Sequence, residues 1–250
     1  MTRILFIGDI VGETGLAYLE AHLPELVRAV GADFVVANAE NLDLTPTPGG
    51  CGMTTPSLQR LFATGIDLVT GGNHSFDAPD KSVHDDVRVL RPLNHAPNLP
   101  GRGAGIVAKN GLRLGVINLV SRTTLPHVDD PYPALEAQLA AWEGADAVDM
   151  VFVDFHSESV MEKMALAFAV AGRVVGVVGT HTHVPTCDTR ILPGGTAYVS
   201  DVGMTGPGDG LQGYQPPQFV DAIRRGVHPG PPQRLASGGI EFGAVLITGE

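Results

Sequence analysis

Residues 174–183 read VVGVVGTHTH and join a short apolar run directly to two histidines. An apolar run of this length without polar alternation is typical of a strand that is buried on both faces of a sheet. His181 and His183 stand two residues apart at its end, so in extended backbone their side chains would point to the same face. The stretch therefore predicts a buried strand whose carboxyl end presents a pair of imidazoles able to bind metal.

Four other apolar runs end in polar residues in the same way. Residues 4–7 lead into Gly8-Asp9, residues 34–37 into Asn38-Ala39-Glu40-Asn41, residues 68–70 into Gly71-Gly72-Asn73-His74, and residues 150–155 into His156. Ligands of open α/β sheets bind beyond the carboxyl ends of the strands. We therefore expect five strands to bring potential metal ligands to one edge, namely Asp9, Glu40, Asn41, Asn73, His156, His181 and His183.

Taken singly, three of these residues have simpler explanations. Asp9 could cap a following helix, and Asn41 could form a turn. His156 could be a hydrogen-bonded histidine of the core. The repetition of the pattern at five strand ends is what favours a metal site.

The rest of the chain alternates apolar runs with helical patterns. Further runs cover residues 114–120 and 197–200, and helix-compatible patterns cover residues 15–30, 56–64, 133–143 and 160–170. This alternation predicts an α/β fold. Pro24 lies inside the first helical pattern and is expected either near a first turn or at a break.

The second half of the chain also carries turn signals. Residues 191–198 predict a hairpin with its turn at residues 193–195, and residues 239–247 predict a closing strand. The stretches 42–52, 204–217 and 226–232 are rich in Gly and Pro and are expected to be loops. Because no stretch resembles a linker, we expect a single domain over residues 1–250.

Composition limits the class of protein. The formal net charge of −11 argues against generic binding to duplex nucleic acid, although it permits a small phosphorylated substrate beside bound cations. Cys51 and Cys187 form no CxxC pair, which favours a reducing compartment. Asp9 interrupts the first apolar run too early for a signal peptide, and no stretch is long enough to span a bilayer. We therefore expect a cytoplasmic protein without membrane contact, and the question of homo-oligomers stays open.

The types of the seven residues restrict the metal. Imidazole nitrogens and carboxylate or amide oxygens without thiolate suit Fe, Mn, Zn, Co or Ni. Seven ligands are too many for one tetrahedral ion, but they suit two ions with positions open for water and substrate. Glu40 lies centrally among the oxygen ligands and is expected to bridge the ions.

The motifs resemble those of a known family. The order Asp9, Asn73-His74, His156 and Gly179-Thr180-His181-Thr182-His183 is similar to the calcineurin-like metallophosphoesterases. The chain resembles the YmdB-type branch more closely. The motifs that carry this resemblance are GDIVG, NAEN, GGNHSFD, NLVSR, DDP, DFHSE and VVGTHTHVPTCDTRILPGGTAYVSDVGMTGP. This resemblance implies a four-layer αββα sandwich that hydrolyses phosphodiesters, with 2′,3′-cyclic nucleotides as substrates and iron as the metal, Mn or Zn being the alternatives.

The same resemblance implies a role for each site residue. Asp9, Glu40, Asn41 and His183 would hold one ion, and Glu40, Asn73, His156 and His181 the other. His74 would be the proton donor. Two features depart from the broad superfamily but fit this branch: Ile10-Val11 follows Asp9 in place of an Asp-x-His motif, and Glu40-Asn41 replaces a bridging aspartate. The segment 42–52 differs from the shorter loop expected there.

Two ions would lower the pKa of a shared water, so that hydroxide attacks phosphorus near neutral pH while His74 protonates the departing ribose oxygen. His74 could instead only orient Asn73, and Asp77 could orient His74 or cap a helix. Arg122 could clamp the phosphate or form a surface salt bridge with Asp129 or Asp130.

Three other functions stay open from the sequence. A phosphomonoesterase or nucleotidase would use the same ions, because specificity lies in loops 42–56, 120–133 and 204–217. A metal-dependent regulator that binds nucleotides is a second alternative, but binding alone needs no proton donor such as His74. A dinucleotide site at residues 8–15 is a weak third, because the spacing is not GxGxxG.

Overall fold

The structure is a computed structural model that describes residues 1–45, 50–144, 147–227 and 234–249. Its helices are α1 (Gly12–Val30), α2 (Thr55–Ala63), α3 (Pro131–Trp142), α4 (Val160–Ala169) and α5 (Pro216–Arg225). Its strands are β1 (Thr2–Ile7), β2 (Asp9–Ile10), β3 (Phe34–Asn38), β4 (Asp43–Leu44), β5 (Cys51–Gly52), β6 (Leu68–Thr70), β7 (Ala104–Lys109), β8 (Leu112–Val120), β9 (Met150–His156), β10 (Gly176–Thr180), β11 (Arg190–Ile191), β12 (Ala197–Val199), β13 (Met204–Pro207), β14 (Ile240–Phe242) and β15 (Ala244–Gly249).

Two mixed sheets form the centre of the fold. The first has the order β15-β1-β3-β6, in which β1, β3 and β6 are parallel and β15 is antiparallel to β1. The second has the order β11-β12-β10-β9-β8-β7, in which β8, β9, β10 and β12 are parallel. The strands that carry the predicted site therefore run side by side within each sheet.

Strand β1 shows how the two sheets are layered. Ile4 and Phe6 belong to an apolar cluster that includes Phe152 of the second sheet, so they lie between the sheets. Leu5 and Ile7 alternate with them and pack on the other face, against helix residues that include Leu16. Full burial of one such side chain stabilises the fold by roughly 1.5–3 kcal/mol.

The second sheet is covered in the same way. Residues of β8 and β9 pack on their outer face against α3 and α4, in a cluster that contains Leu119, Phe155, Leu139 and Leu166. The layers are therefore helices, sheet, sheet and helices. This arrangement confirms the four-layer αββα sandwich.

The expectation for Pro24 was wrong. Helix α1 runs from Gly12 to Val30 with Pro24 in its interior and no break. The buried stripe formed by Leu16, Leu19 and Leu23 holds the helix on the first sheet. Packing of this stripe offsets the backbone hydrogen bond that proline removes.

The expectation of a loop at residues 204–217 was also wrong in part. Strand β13 lies there and pairs with β2 and β14 in a small sheet, and α5 begins at Pro216. The closing strand is split at Gly243 into β14 and β15, which belong to different sheets. A Cβ at Gly243 would lie 2.6 Å from the carbonyl oxygen of Val202, so only glycine allows this close crossing.

The hairpin expected at residues 191–198 is confirmed. The hairpin pairs β11 with β12, with Arg190 opposite Tyr198. The loop expected at residues 42–52 was wrong in part, because it contains the paired short strands β4 and β5. Residues 46–49 of this segment and residues 228–232 of the third expected loop lie outside the described residues. In the part of the chain that is described, no helix has both the length and the apolarity that crossing a membrane requires.

Candidate metal centre

The fold brings all seven predicted ligands to the carboxyl ends of five strands. The first sheet contributes residues that follow β1, β3 and β6, and the second contributes the last residue of β9 and the turn after β10. These residues are Asp9, Glu40, Asn41, Asn73, His156, His181 and His183. Their contacts divide them into two groups.

The first group, called here the His156 group, consists of Glu40, Asn73, His156 and His181. The Nε2 atom of His156 lies 3.0 Å from Glu40 Oε1, 3.0 Å from Asn73 Oδ1 and 3.0 Å from His181 Nδ1. Donor atoms bound at right angles to one ion at about 2.1 Å lie roughly 3.0 Å apart. The three distances from His156 Nε2 therefore fit a coordination shell as well as they fit hydrogen bonds.

Hydrogen bonds on the far side of each imidazole identify the nitrogen that carries the proton. His183 Nδ1 lies 2.9 Å from the carbonyl oxygen of Gln212, which can only accept, so Nδ1 is the donor. The Thr180 hydroxyl donates to Asp154 at 2.7 Å and therefore accepts from His156 Nδ1 at 2.9 Å. In both histidines the lone pair is left on Nε2.

His181 is oriented in the opposite sense. Its Nε2 lies 3.2 Å from the carboxylate of Glu158, which accepts the proton, so the lone pair is on Nδ1. That Nδ1 faces the Nε2 of His156 at 3.0 Å. With neutral imidazoles these two lone pairs would repel each other, so a positive charge is needed between the rings, either a proton on His156 Nε2 or a metal ion. The donor set fits a metal ion.

The charges around the His156 group also favour a cation at its centre. Burial opposes a positive charge on His156, but Glu40, Asp9 and Asp154 outweigh it and raise its pKa to about 9. Burial, followed by the positive charge of His156, lowers the pKa of His181 to about 3. The site therefore favours a positive charge at its centre but not a second proton on His181.

The second group, called here the His183 group, consists of Asp9, Asn41 and His183. His183 Nε2 lies 3.3 Å from Asn41 Oδ1 and 3.8 Å from Asp9 Oδ1. Asp9 Oδ1 is buried and has no hydrogen-bond partner among the described residues. Burial raises the pKa of Asp9, although His183 and His156 act against this. An unpaired buried carboxylate oxygen is costly, and a cation would satisfy it.

The histidine turn, residues 181–183, differs from the extended backbone expected there. Strand β10 ends at Thr180, and His181 and His183 have φ angles of 103° and 61°. Residues other than glycine rarely adopt positive φ, and residues in such strained backbone conformations cluster at functional sites. The turn sends His181 to the His156 group and His183 to the His183 group, so the two imidazoles do not share one set of contacts as a strand pair would.

Sequence reasoning missed the residue that links the ligand-bearing strands beneath the site. Asp154 is fully buried and accepts hydrogen bonds from Asn38 at 3.1 Å, Thr70 at 2.5 Å and Thr180 at 2.7 Å. These residues end β3, β6 and β10. A carboxylate in the middle of the apolar run MVFVDFH was the available signal, because a buried charge needs partners.

Close packing leaves no room for a side chain at Gly72. A Cβ there would lie 2.3 Å from Glu40 Oε2 and 2.5 Å from His156 Nε2. The backbone before Asn73 therefore approaches the His156 group directly, which explains the second glycine of the motif GGNH.

His74 lies beside the His156 group rather than in it. Its Nδ1 lies 2.7 Å from Asp77 Oδ2, and its backbone N–H donates to Glu40 Oε2 at 2.9 Å. Burial opposes protonation, but the Asp77 hydrogen bond and the charge of Glu40 outweigh it, so the pKa of His74 is raised. Asp77 thus orients His74, as one of the two sequence alternatives predicted.

Two other predicted features are less closely tied to the site. Arg122 is exposed, and Asp130 instead caps α3 by accepting from the N–H of Tyr132. Cys51 of segment 42–52 is buried, with its Sγ 3.1 Å from the hydroxyl of Tyr214, which also contacts Asn41 at 3.4 Å. The phosphate-clamping role of Arg122 stays a prediction.

Comparisons with known proteins concern the family and the fold. The family model described as YmdB-like protein matches residues 5–249. The 2′,3′-cyclic-nucleotide 2′-phosphodiesterase of Bacillus subtilis (strain 168) is 43% identical over 213 residues, which cover 84% of this chain and 78% of that protein.

Two crystal structures share the fold at substantial identity. A hypothetical protein from Thermus thermophilus superposes with a TM-score of 0.89 at 38% identity, covering 100% of this chain and 94% of that one. A novel phosphatase from Mycoplasma pneumoniae superposes with a TM-score of 0.87 at 31% identity, covering 98% of this chain and 86% of that one.

Proposed function

Because the chain belongs to the YmdB-like family, we propose that it is a metal-dependent phosphodiesterase that hydrolyses 2′,3′-cyclic nucleotides. The observation that carries the proposal is the cluster of donor atoms in which His156 Nε2 lies 3.0 Å from both His181 Nδ1 and Glu40 Oε1. The Bacillus subtilis relative, at 43% identity, supports the choice of substrate.

Two ions would be held at the strand ends. The His156 group would hold one through Glu40, Asn73, His156 and His181. The His183 group would hold the other, with Glu40 as the bridge between them. Iron is the expected metal, with Mn or Zn as alternatives, since the ligands are imidazole, carboxylate and amide. When bound, the ions supply positive charge that offsets the phosphate and lower the pKa of a water.

Glu40 makes its direct contacts within the His156 group. Its Oε1 lies near His156, and its Oε2 accepts the N–H of His74. Its charge also acts on Asp9, whose pKa it raises. The bridge would therefore use a carboxylate whose orientation is already fixed by the His74 backbone.

His74 would donate the proton to the leaving group. Asp77 holds Nδ1 at 2.7 Å, which leaves Nε2 as the nitrogen that can exchange a proton with substrate. The raised pKa keeps His74 protonated at higher pH than an ordinary histidine. A ribose alkoxide is a poor leaving group, so its protonation lowers the barrier.

A phosphomonoesterase is the second candidate. The Mycoplasma pneumoniae neighbour at 31% identity is described as a phosphatase, and its fold covers 98% of this chain. Both reactions would use the same ligands and would differ in the contacts to the rest of the substrate. A purely regulatory role would not require the His74–Asp77 pair.

A substrate panel under defined metal loading tests the proposal. The purified protein would be assayed for metal content and then for kcat/KM on 2′,3′-cyclic AMP, 3′,5′-cyclic AMP, 3′-AMP and 5′-AMP, with and without loaded metal. We expect the 2′,3′-cyclic nucleotide to be preferred and turnover to require metal. A preference for the monoesters would favour the phosphatase, and activity that survives metal removal would reject the proposal.

A further inference from the structure

A buried ion pair lies beneath the histidine turn and has no part in the proposed chemistry. Lys163 of α4 and Asp201 are both almost completely inaccessible, and Lys163 Nζ lies 3.0 Å from Asp201 Oδ2. Replacing a buried ion pair with apolar groups is often neutral or stabilising, so such a pair is weak evidence of a role in stability. Its position in the structure points to another role.

The carboxylate of Asp201 holds the turn directly. Asp201 Oδ2 accepts the backbone N–H of Thr182 at 3.1 Å, and Oδ1 accepts that of Gly203 at 2.9 Å. Thr182 is the residue between His181 and His183. The hydrogen bond therefore acts at the centre of the histidine turn.

Lys163 reaches this carboxylate from the outer helix layer by passing β10. A Cβ at Gly179 would lie 2.7 Å from Lys163 Cδ and 1.8 Å from the carbonyl oxygen of Ser200. The lysine stem thus packs against the end of β10, just before His181, and the missing side chain at Gly179 makes room for it. The ammonium compensates the buried charge that Asp201 brings under the site.

The turn needs such a restraint. His181 and His183 both have positive φ, which is unfavourable for residues other than glycine. Such backbone conformations persist only where the surrounding structure fixes them. If the backbone relaxed, His181 Nδ1 would leave the His156 group and His183 Nε2 would leave the His183 group. Gln212 Nε2 also donates to the Thr182 carbonyl oxygen at 2.8 Å, and the His181 N–H donates to Asp9 Oδ2 at 3.2 Å. Asp201 adds to these a buried restraint at the residue between a ligand of each ion.

We propose that the Lys163–Asp201 ion pair is a positioning device that holds the histidine turn in its metal-binding conformation. This proposal rests on the proposed metal centre. Outer-shell residues that orient metal ligands typically change metal affinity roughly 10–100-fold when they are substituted. We expect an effect of that size here, because two ligands depend on the pair.

The test compares metal affinity with fold stability in four variants of the full chain. Lys163→Met and Asp201→Asn break the pair, and the double variant removes both charges, so that no uncompensated charge stays buried. Leu166→Ala, on the same helix but in the apolar cluster with Leu139, is the matched control. Chelator competition with Mn²⁺ and with Zn²⁺ gives the affinity, and thermal unfolding of the metal-free protein gives the stability.

A positioning role predicts that metal affinity and melting temperature change independently of each other. Both single variants and the double variant should bind Mn²⁺ and Zn²⁺ about 10–100-fold more weakly, even though the double variant regains melting temperature over the singles. Leu166→Ala should melt lower and keep its metal affinity. If affinity follows melting temperature in all four variants, or if Asp201→Asn binds as tightly as the wild type, the proposal is overturned.

A separate outcome concerns the metal centre itself. Wild-type protein that binds neither Mn²⁺ nor Zn²⁺ would overturn the proposed centre and the positioning role together. If the wild-type protein binds these ions and the ion-pair variants bind them with the same affinity, only the positioning role is overturned.

Discussion

The His156 group and the His183 group lie side by side but are organised to different degrees. In the first, three donor atoms lie 3.0 Å from His156 Nε2. In the second, the distances to His183 Nε2 are 3.3 and 3.8 Å, and Asp9 Oδ1 has no partner among the described residues. The donor atoms of the first group already surround one nitrogen closely, whereas those of the second lie farther apart, at spacings that tetrahedral ligation of one ion also allows.

This difference has a consequence for metal binding. A site whose donor atoms are already gathered closely loses less free energy to organisation and binds its ion more tightly. We therefore expect the His156 group to fill first and the His183 group to fill second, at a weaker affinity. Glu40, if it bridges, couples the two steps.

The largest expected effect is that of Glu40→Gln. The substitution keeps the size of the side chain but removes a negative charge that both ions would share. We expect both affinities to fall and phosphodiesterase activity to be lost, while the fold persists. Metal content and circular dichroism measure this, and loss of only one ion would show that Glu40 belongs to the His156 group alone.

Next in size are substitutions that should each affect mainly one ion. His181→Ala removes a ligand of the His156 group, and Asn41→Ala removes one of the His183 group. We expect His181→Ala to abolish the tighter binding step and Asn41→Ala the weaker, each with a loss of activity of roughly 10²–10³-fold, as for loss of one preorganised charge-stabilising group. Isothermal titration of Mn²⁺ distinguishes the steps, and the reverse assignment would contradict the comparison.

His74→Gln should leave both ions in place. On a 2′,3′-cyclic nucleotide we expect turnover to fall roughly 10²–10⁴-fold, the range for a general acid. On bis(p-nitrophenyl) phosphate the loss should be much smaller, because nitrophenolate departs without protonation.

Measuring both substrates on one preparation of His74→Gln cancels errors in protein concentration and metal loading. An equal loss on the two substrates would mean that His74 orients Asn73 or stabilises charge. A loss of metal would make it a ligand.

The smallest expected effect is that of Glu158→Gln. This side chain is largely exposed, and its carboxylate lies 3.2 Å from His181 Nε2. The amide oxygen can still accept the imidazole proton, so metal affinity should fall by no more than about tenfold, the low end for an outer-shell group. Glu158→Ala, which removes the acceptor, should cost more, and equal values for the two variants would show that the contact does not fix the His181 tautomer.

The ligand positions could be predicted from the sequence because each follows an apolar run directly. Asp9, Glu40 and His156 stand where buried parallel strands end, and parallel strands end at one edge. The supporting residues could not be found this way. Thr180 reads as an ordinary strand residue and Lys163 as an exposed helical one, and their roles depend on contacts between distant segments.

Elements of the fold were missed for a related reason. Helix α5 is strongly amphipathic, but it begins with Pro216 and Pro217 at the end of a Gly- and Pro-rich stretch that reads as a loop. Pro24 was expected to break or begin a helix, but packing of α1 on the sheet overrode this local preference. The positive φ of His181 and His183 has only a weak local signal, because histidine adopts positive φ more often than most residues but far less often than glycine.

A stepwise metal titration with activity as the readout tests the central claim most directly. Metal-depleted protein would receive Mn²⁺ in fractions of an equivalent, and binding and hydrolysis of 2′,3′-cyclic AMP would be followed in the same samples. The account predicts a tight first equivalent with little turnover, then activity that rises with a weaker second equivalent. Full turnover at one equivalent, or in the metal-free protein, would contradict a centre built from two ions.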